Sequence, residues 1–338
     1  MKRTPRNRVL VGDARKVLRR LPASSVDCIV TSPPYFRLRN YQSADQIGLE
    51  RHVDQWVDEL RIVARGLARV LKPTGSLWLN LGDTYSRHQG DGATAKSLVL
   101  APERLAMALQ SDGWILRNKV IWSKTNPMPT SVADRLSCTH EVVYFFVRSR
   151  SYYFDLDAIR IPHQGTRGKP RTARPVWSVP EEWRGPSSGT NTGLDKLKAQ
   201  GLAGHPLGKN PGDVWTLPTA AYRGAHHAVF PERLITKPIL ATCPEKCCLA
   251  CGEPWRRAAH TTKRHFVLIG EMAPSCTCGS DSVAGLVLDP FFGSGTVGLA
   301  ARRLGRDWLG IEVNSGFAEQ AIERLRDGRQ GGDHATAA

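Results

Sequence analysis

Two short segments, in which an apolar run breaks off into a rigid turn, constrain this chain's fold more than any other feature. Near the start, residues 26–30 run into Thr31-Ser32-Pro33-Pro34-Tyr35. Near the end, residues 286–289 run into Pro290-Phe291-Phe292-Gly293-Ser294-Gly295-Thr296. Consecutive prolines cannot continue a strand ladder, and glycine accepts the positive φ of a tight turn, so each run reads as a strand that stops at a loop. Helical patterns follow both. Open α/β sheets bind ligands at loops beyond the carboxyl ends of their strands, which makes both turns candidate site elements.

The rest of the chain agrees with such a sheet. Residues 9–11 read as a strand, and Asp13 as the N-cap of a helix over 14–21. Val53, Trp56, Val57, Leu60, Val63, Ala64, Leu67, Val70 and Leu71 recur at helical spacing, and Lys72-Pro73-Thr74-Gly75 ends that helix. Residues 77–81 read as a buried strand and 102–109 as a helix. Residues 114–122 and 141–147 read as an antiparallel pair at the sheet edge. Later come helices over 231–240, 296–304 and 317–325, with a strand at 307–311 that ends on Glu312. The alternation predicts an α/β fold with a mixed, mostly parallel, seven-stranded sheet. From 151 to 225 the periodicity dissolves into Gly, Pro, Arg, Lys and Trp, which reads as either a linker or an insertion. A structureless stretch of this length inside one domain is more often functional.

The chain has 338 residues and a net charge of +16, which favours a polyanionic partner such as nucleic acid. No apolar run approaches the roughly 20 residues that span a bilayer. The basic N-terminus has no apolar run behind it, so a signal peptide is not expected and a cytoplasmic location is. In that compartment the eight cysteines are expected to be free thiols, with Cys28 and Cys138 in the core.

The turn at 289–296 brings backbone close to a ligand and presents the free N–H groups of the following helix. It lacks both the spacing of a dinucleotide fingerprint and the Lys-Ser/Thr of a nucleotide phosphate loop. Glu312, at the end of the next strand, is placed to accept hydrogen bonds from ribose hydroxyls. Ser32-Pro33-Pro34-Tyr35 suits an aromatic amine, whose lone pair is delocalised into its ring. The Ser32 hydroxyl and the Pro33 carbonyl can accept its N–H bonds, and the Tyr35 ring offers a stacking surface.

These residues resemble the DNA amino-methyltransferases that act on cytosine N4 or adenine N6. With the catalytic motif ahead of the glycine turn, the order resembles the permuted beta group of that family. The likeness extends to Val11-Gly12-Asp13, to residues 75–83, to Gly212-Asp213-Val214-Trp215 and to residues 227–234. The resemblance implies a Rossmann-like S-adenosylmethionine-dependent fold with catalytic residues Ser32, Pro33, Pro34 and Tyr35. It implies cofactor contacts from Asp13, Thr31, Phe230, Asp289, Pro290, Phe291, Gly293, Ser294, Gly295, Thr296 and Glu312. Residues 1–150 would form the catalytic half, 151–225 the target-recognition region, 226–327 the cofactor half and 328–338 a flexible tail. The serine of the motif points to cytosine N4, with adenine N6 the alternative. An RNA or protein-glutamine methyltransferase and a non-catalytic DNA-binding module are more distant ones. Double-stranded DNA is the expected partner, with contacts from Arg37, Arg39, Tyr41, Arg167, Lys169, Arg171 and Arg174. A cognate restriction endonuclease and either a monomer or a homodimer fit the resemblance.

Six cysteines crowd into residues 243–278. Cys248-x-x-Cys251 and Cys276-x-Cys278, separated by a basic stretch, suit a structural zinc ion, with Cys243 or Cys247 able to replace one ligand. Buried thiols or a redox pair are the alternatives.

Overall fold

The computed structural model describes residues 4–41, 43, 45–162, 207–220, 229–258, 260–262, 265–267 and 270–328. The expected contacts at Arg167, Lys169, Arg171 and Arg174 lie outside the described residues, as do most of the recognition region and all but Gly328 of the tail.

The chain order is β1 (Arg8–Val11), α1 (Ala14–Leu18), β2 (Val26–Thr31), α2 (Val53–Val70), β3 (Leu71–Leu81), α3 (Ala101–Ser111), β4 (Ile115–Lys124), β5 (His140–Val147) and β6 (Val214–Leu217). Then come α4 (Glu232–Thr242) and six short strands: β7 (Cys247–Cys248), β8 (Arg256–Arg257), β9 (His260–Thr262), β10 (His265–Val267), β11 (Met272–Ala273) and β12 (Ser282–Val283). Last are β13 (Leu286–Asp289), α5 (Thr296–Arg303), β14 (Asp307–Glu312) and α6 (Ser315–Asp327).

Among the described residues, one 8-stranded sheet carries the fold, in the order β1-β14-β13-β2-β3-β5-β4-β6. Every neighbour pair is parallel except those made by β5, which is antiparallel to both β3 and β4. The sheet therefore has one more strand than expected. β6 comes from the aperiodic stretch, where Val214-Trp215-Thr216-Leu217 is too short to stand out, and it pairs with β4 along residues 121–124. The 114–122 and 141–147 pair is antiparallel as expected, but β6 covers its outer side.

The helices fall on the two faces of the sheet. Leu18 of α1, the Trp56–Leu67 stripe of α2 and Leu105 of α3 pack on one face, and α4, α5 and α6 pack on the other through Ile239, Leu299 and Ala321. α2 opens with a capping box, in which His52 accepts from Asp54 N and the Gln55 side chain accepts from His52 N. It ends without a loop. Leu71 is fully buried and already extended, so residues 72–75 form the first half of β3 rather than a break. Gly75 is needed there, because a Cβ would lie 2.5 Å from Leu71 Cδ1. In the middle of the sheet, Trp78 stacks on Phe145 with ring centroids 4.3 Å apart. Among the described residues, no helix is long and apolar enough to cross a membrane.

Candidate active site

All strands but β5 end on the same edge of the sheet, and there the two sequence turns meet. Asp289 ends β13 and Thr31 ends the adjacent β2; Glu312 ends β14 on the other side of β13. A cavity of about 470 Å³ opens at this edge, within the range of small-molecule sites. Its walls include Asp13, Ser32, Pro33, Pro34, Tyr35, Phe230, Asp289, Pro290, Phe291, Gly293, Ser294, Thr296 and Glu312. Two segments more than 250 positions apart thus share one pocket because their strands are neighbours. Thr31 and Gly295 sit behind the wall instead. Thr31 Oγ1 donates to Asp289 Oδ1 at 2.7 Å, and Gly295 turns the chain into α5 with a φ of +78°.

The glycine-turn end is built around two buried carboxylates. Glu312 accepts from Gly293 N at 2.8 Å and from Asn314 N at 3.0 Å, and burial pushes its carboxyl above the usual range. Asp289 also accepts from Phe291 N at 3.0 Å. Burial, with the nearby Glu312 adding to it, pushes its carboxyl up to about 7, against the pull of the Thr31 hydrogen bond. Phe292 stacks on Trp308 and fills the space over Gly310, where a Cβ would lie 2.4 Å from its ring. From α6, Arg324 donates to Ser294 O, Ser294 Oγ and Thr296 Oγ1 at 2.9–3.1 Å and so braces the turn.

The proline-turn end is fixed from below. The indole N–H of Trp56, fully buried in α2, donates to Pro34 O at 2.9 Å. A Cβ on Gly82 would lie 2.8 Å from Tyr35 Cε2, so the chain just after β3 passes directly against the tyrosine ring. Ser32 Oγ donates to Tyr35 Oη at 3.2 Å, and Tyr35 Oη donates to Glu141 Oε2 at 2.6 Å. Asn80 Nδ2 donates to Tyr35 Oη at 2.8 Å and to Glu141 Oε2 at 2.9 Å, and Lys124 Nζ pairs with Glu141 Oε1 at 2.6 Å. Burial and the Glu141 carboxylate push the Tyr35 hydroxyl well above its ordinary value, so it stays protonated and donates. The carboxylate thereby sets the direction of the chain of hydrogen bonds. The Ser32 proton is committed to Tyr35, Ser32 Oγ accepts a long bond from Asn80 Nδ2 at 3.4 Å, and its remaining lone pair is left for a donor in the cavity.

Asn80, Lys124, Glu141 and Trp122 line the same cavity, and sequence reasoning gave none of them a role. Glu141 carried a faint signal, as the one acidic residue in the strand HEVVYFFV. Only the reversed direction of β5 brings the start of that strand to the site edge. Leu38 and Met128, 51% and 86% exposed, also line the cavity, so apolar surface reaches its rim.

The expected DNA contacts after the catalytic loop divide. Arg37 is ion-paired with the buried Asp91, which ties its loop to the segment after β3. Arg39 and Tyr41 line the cavity, and Tyr41 O accepts from Asn314 Nδ2 beside Glu312. Tyr41 thus stands at the glycine-turn side of the pocket.

Cys248, Cys251, Cys276 and Cys278 come together with all four sulfur atoms within 4.8 Å of one another. Cys243 and Cys247 lie apart in the buried interior, with Cys247 Sγ 3.5 Å from Asp27 Oδ1. Cys28 is buried as expected. Cys138 is not: it is exposed on the loop between β4 and β5, beside the Tyr85 hydroxyl, because it precedes β5, which starts at His140.

The sequence matches the family described as DNA methylase over residues 26–323. The type II methyltransferase M.SmaI of Serratia marcescens is 31% identical, over 94% of this chain and 90% of its own. M.Cfr9I of Citrobacter freundii, also a type II methyltransferase, is 33% identical over 93% and 86%. Among solved structures, the cytosine-N4-specific PvuII DNA methyltransferase superposes with a TM-score of 0.56 at 17% identity, covering 96% of this chain and 92% of that one. TTHA0409 of Thermus thermophilus, described as a putative DNA modification methylase complexed with S-adenosyl-L-methionine, gives 0.53 at 24% identity over 98% and 100%. Both have the Rossmann-like methyltransferase fold described above.

Proposed function

The chain belongs to the DNA methylase family of N6- and N4-directed amino-methyltransferases, and from that premise we propose that it methylates the exocyclic N4 of cytosine in a specific DNA sequence. The observation that carries the reading is the shared cavity. A hydroxyl polarised to accept from an amine faces a glycine turn flanked by two buried carboxylates.

The residues present fit S-adenosylmethionine. Asp289 and Glu312 offer acceptors for a cationic ligand with ribose hydroxyls, and Asp13, Phe230 and Phe291 complete an amphipathic wall. When bound, the cofactor supplies an electrophilic methyl group, whose bonding pair returns to sulfur. Ser32 Oγ and Pro33 O accept the two N–H bonds of the target amine and raise electron density on its nitrogen. As the new C–N bond forms, the nitrogen becomes cationic and must lose a proton. That proton passes to Ser32 Oγ, the Ser32 proton to Tyr35 Oη, and the Tyr35 proton to the Glu141 carboxylate. Holding the reactants in line supplies much of the remaining rate.

A target base inside a duplex cannot reach this pocket, so it must be flipped out, with the Tyr35 ring as its stacking surface. Residues 151–225, including Arg167, Lys169, Arg171 and Arg174, carry target recognition in this reading, between the catalytic half (1–150) and the cofactor half (226–327). Arg39 and the exposed Leu38 and Met128 meet DNA at the rim of the cavity. A structural zinc ion on the four clustered cysteines, away from the cavity, completes the cofactor set. A cognate endonuclease is compatible with the same reading.

The preference for cytosine rests on the serine of the tetrapeptide. Unmethylated bacterial DNA, incubated with the protein and S-adenosylmethionine and digested to nucleosides for mass spectrometry, tests it. N4-methylcytosine is the expected product. N6-methyladenine would replace the base assignment and keep the mechanism. Absence of both products, from protein that binds the cofactor, would overturn DNA as the substrate.

A further inference from the structure

The Cys-rich segment lies at the end of the sheet away from the cavity. β13 starts at Leu286, just after this segment, and the glycine turn begins only after Asp289 at its other end. The strand rises about 3.3 Å per residue, so the two ends stand roughly 10 Å apart. The four sulfurs of Cys248, Cys251, Cys276 and Cys278 lie within 4.8 Å of one another as free thiols. Tetrahedral zinc with Zn–S bonds near 2.3 Å needs sulfurs roughly 3.8 Å apart, which this cluster can meet with small movements. Each cysteine pair is followed by a glycine in the left-handed region, Gly252 at +76° and Gly279 at +62°. The first turn is closed by Gly252 N donating to Cys248 O at 2.9 Å. Two tight thiol turns facing one point are the donor set of a closed structural zinc site.

The cluster is wired to the start of the cofactor strand. Gly252 O accepts from Lys72 Nζ at 2.9 Å, and the same Nζ pairs with Asp27 Oδ1 at 2.6 Å. Asp27 is 3% exposed, and its other oxygen accepts from Leu286 N, the first amide of β13, at 2.9 Å. A second route runs through the strand pairing just ahead of β13. Cys247 and Cys248 pair with Val283 and Ser282, two and three residues before Gly285. At Gly285 the chain passes so close to Pro244 O that a Cβ would sit 2.4 Å from it. A buried ion pair repays its desolvation only with good geometry and further hydrogen bonds, and Gly252 O on the thiol turn supplies one such bond to Lys72.

We propose that Cys248, Cys251, Cys276 and Cys278 bind one zinc ion as a tetrathiolate, and that this ion clamps the N-terminal end of β13 through Gly252, Lys72 and Asp27. The role as a clamp rests on the reading of β13 as the strand that presents the cofactor. The ion stands too far from Ser32 to act on the target base, so its effect on the site is transmitted along the strand.

The test starts with protein purified without chelator. Elemental analysis is expected to find about one zinc per chain, and cobalt exchange is expected to give the intense thiolate charge-transfer and tetrahedral d–d bands of a four-sulfur site. Chelator is expected to lower the melting temperature and to weaken binding of S-adenosylhomocysteine several-fold, measured by calorimetry below the melting transition. Lys72→Ala separates clamp from ligand: it is expected to keep the zinc while lowering the melting temperature and weakening S-adenosylhomocysteine binding. Less than about half an equivalent of metal, or thiol titration revealing disulfides within the cluster, would overturn the site. Zinc whose removal moves neither the melting temperature nor the affinity would overturn the clamp. None of these readouts involves methyl transfer. A chain that meets them and methylates no DNA would sink the proposed function and leave the zinc site standing.

Discussion

Glu141→Gln is the sharpest probe of how the catalytic serine is polarised. The carboxylate accepts from Tyr35 at 2.6 Å, Asn80 at 2.9 Å and Lys124 at 2.6 Å. Glutamine keeps the volume but replaces one acceptor oxygen with an N–H2 donor. Either Lys124 or Tyr35 then faces a donor, and the Tyr35 hydroxyl loses its charged acceptor. A hydrogen bond to a charged group is worth about 1.5–3 kcal/mol net. If that difference falls on the step in which the amine loses its proton, methyl transfer slows by about 10- to 100-fold, since each 1.4 kcal/mol is a factor of ten. The assay is single-turnover transfer of labelled methyl to saturating DNA with enzyme in excess, which removes product release from the rate. Cofactor affinity should be unchanged, because Glu141 lies at the proline-turn end of the pocket. Tyr35→Phe should slow the same step by a similar factor. The double variant should be no slower than the slower single one, because both cut one chain of hydrogen bonds. Wild-type rates in folded Glu141→Gln, or multiplicative losses in the double variant, would refute the relay.

Four further expectations follow from the same geometry. Asp289 is pushed up to about 7, above its unfolded value near 4, so its contribution to apo-protein stability is full below about pH 4 and is lost as the pH rises to about 7. A cationic cofactor needs the ionised form, so its affinity should rise roughly tenfold per pH unit up to about 7 and then level off; calorimetric titration of Asp289→Asn, which should lose this dependence, checks it. Glu312→Ala removes the acceptor for Gly293 N and Asn314 N and should weaken cofactor binding by about 100-fold while leaving DNA binding intact, as equilibrium dialysis alongside a gel-shift assay would report. Gly310→Ala forces a methyl group into the Phe292 ring and should cost about 1–3 kcal/mol of stability in urea unfolding, whereas a neutral result would mean that the stack on Trp308 has room to shift. Arg39→Ala should reduce the salt slope of DNA binding by about 1, but Arg37→Ala, whose guanidinium is already committed to Asp91, should leave that slope unchanged and lower the melting temperature instead.

The division between what could be read and what could not follows from how the site is built. Sequence alone located both turns, because prolines and glycines mark loops through their own backbone chemistry, whatever surrounds them. It identified Asp13 as a cap and Glu312 as a strand-end acid for the same local reason, and the stripe of α2 through its helical period. Composition and spacing also singled out the four cysteines that cluster, because thiol pairs announce themselves at short range. The tertiary structure decided whatever depended on strand order. β6 is four residues long and is a strand only because β4 offers it a parallel edge. Glu141 reaches the cavity because β5 runs against its neighbours, so the start of that strand, rather than its end, lies at the site edge. Arg37 reads as a free cation in sequence, yet it is held by Asp91, a residue 54 positions away. Local chemistry is written residue by residue, whereas partners across a sheet are assigned by topology, and no window along the chain contains both ends of such a pair.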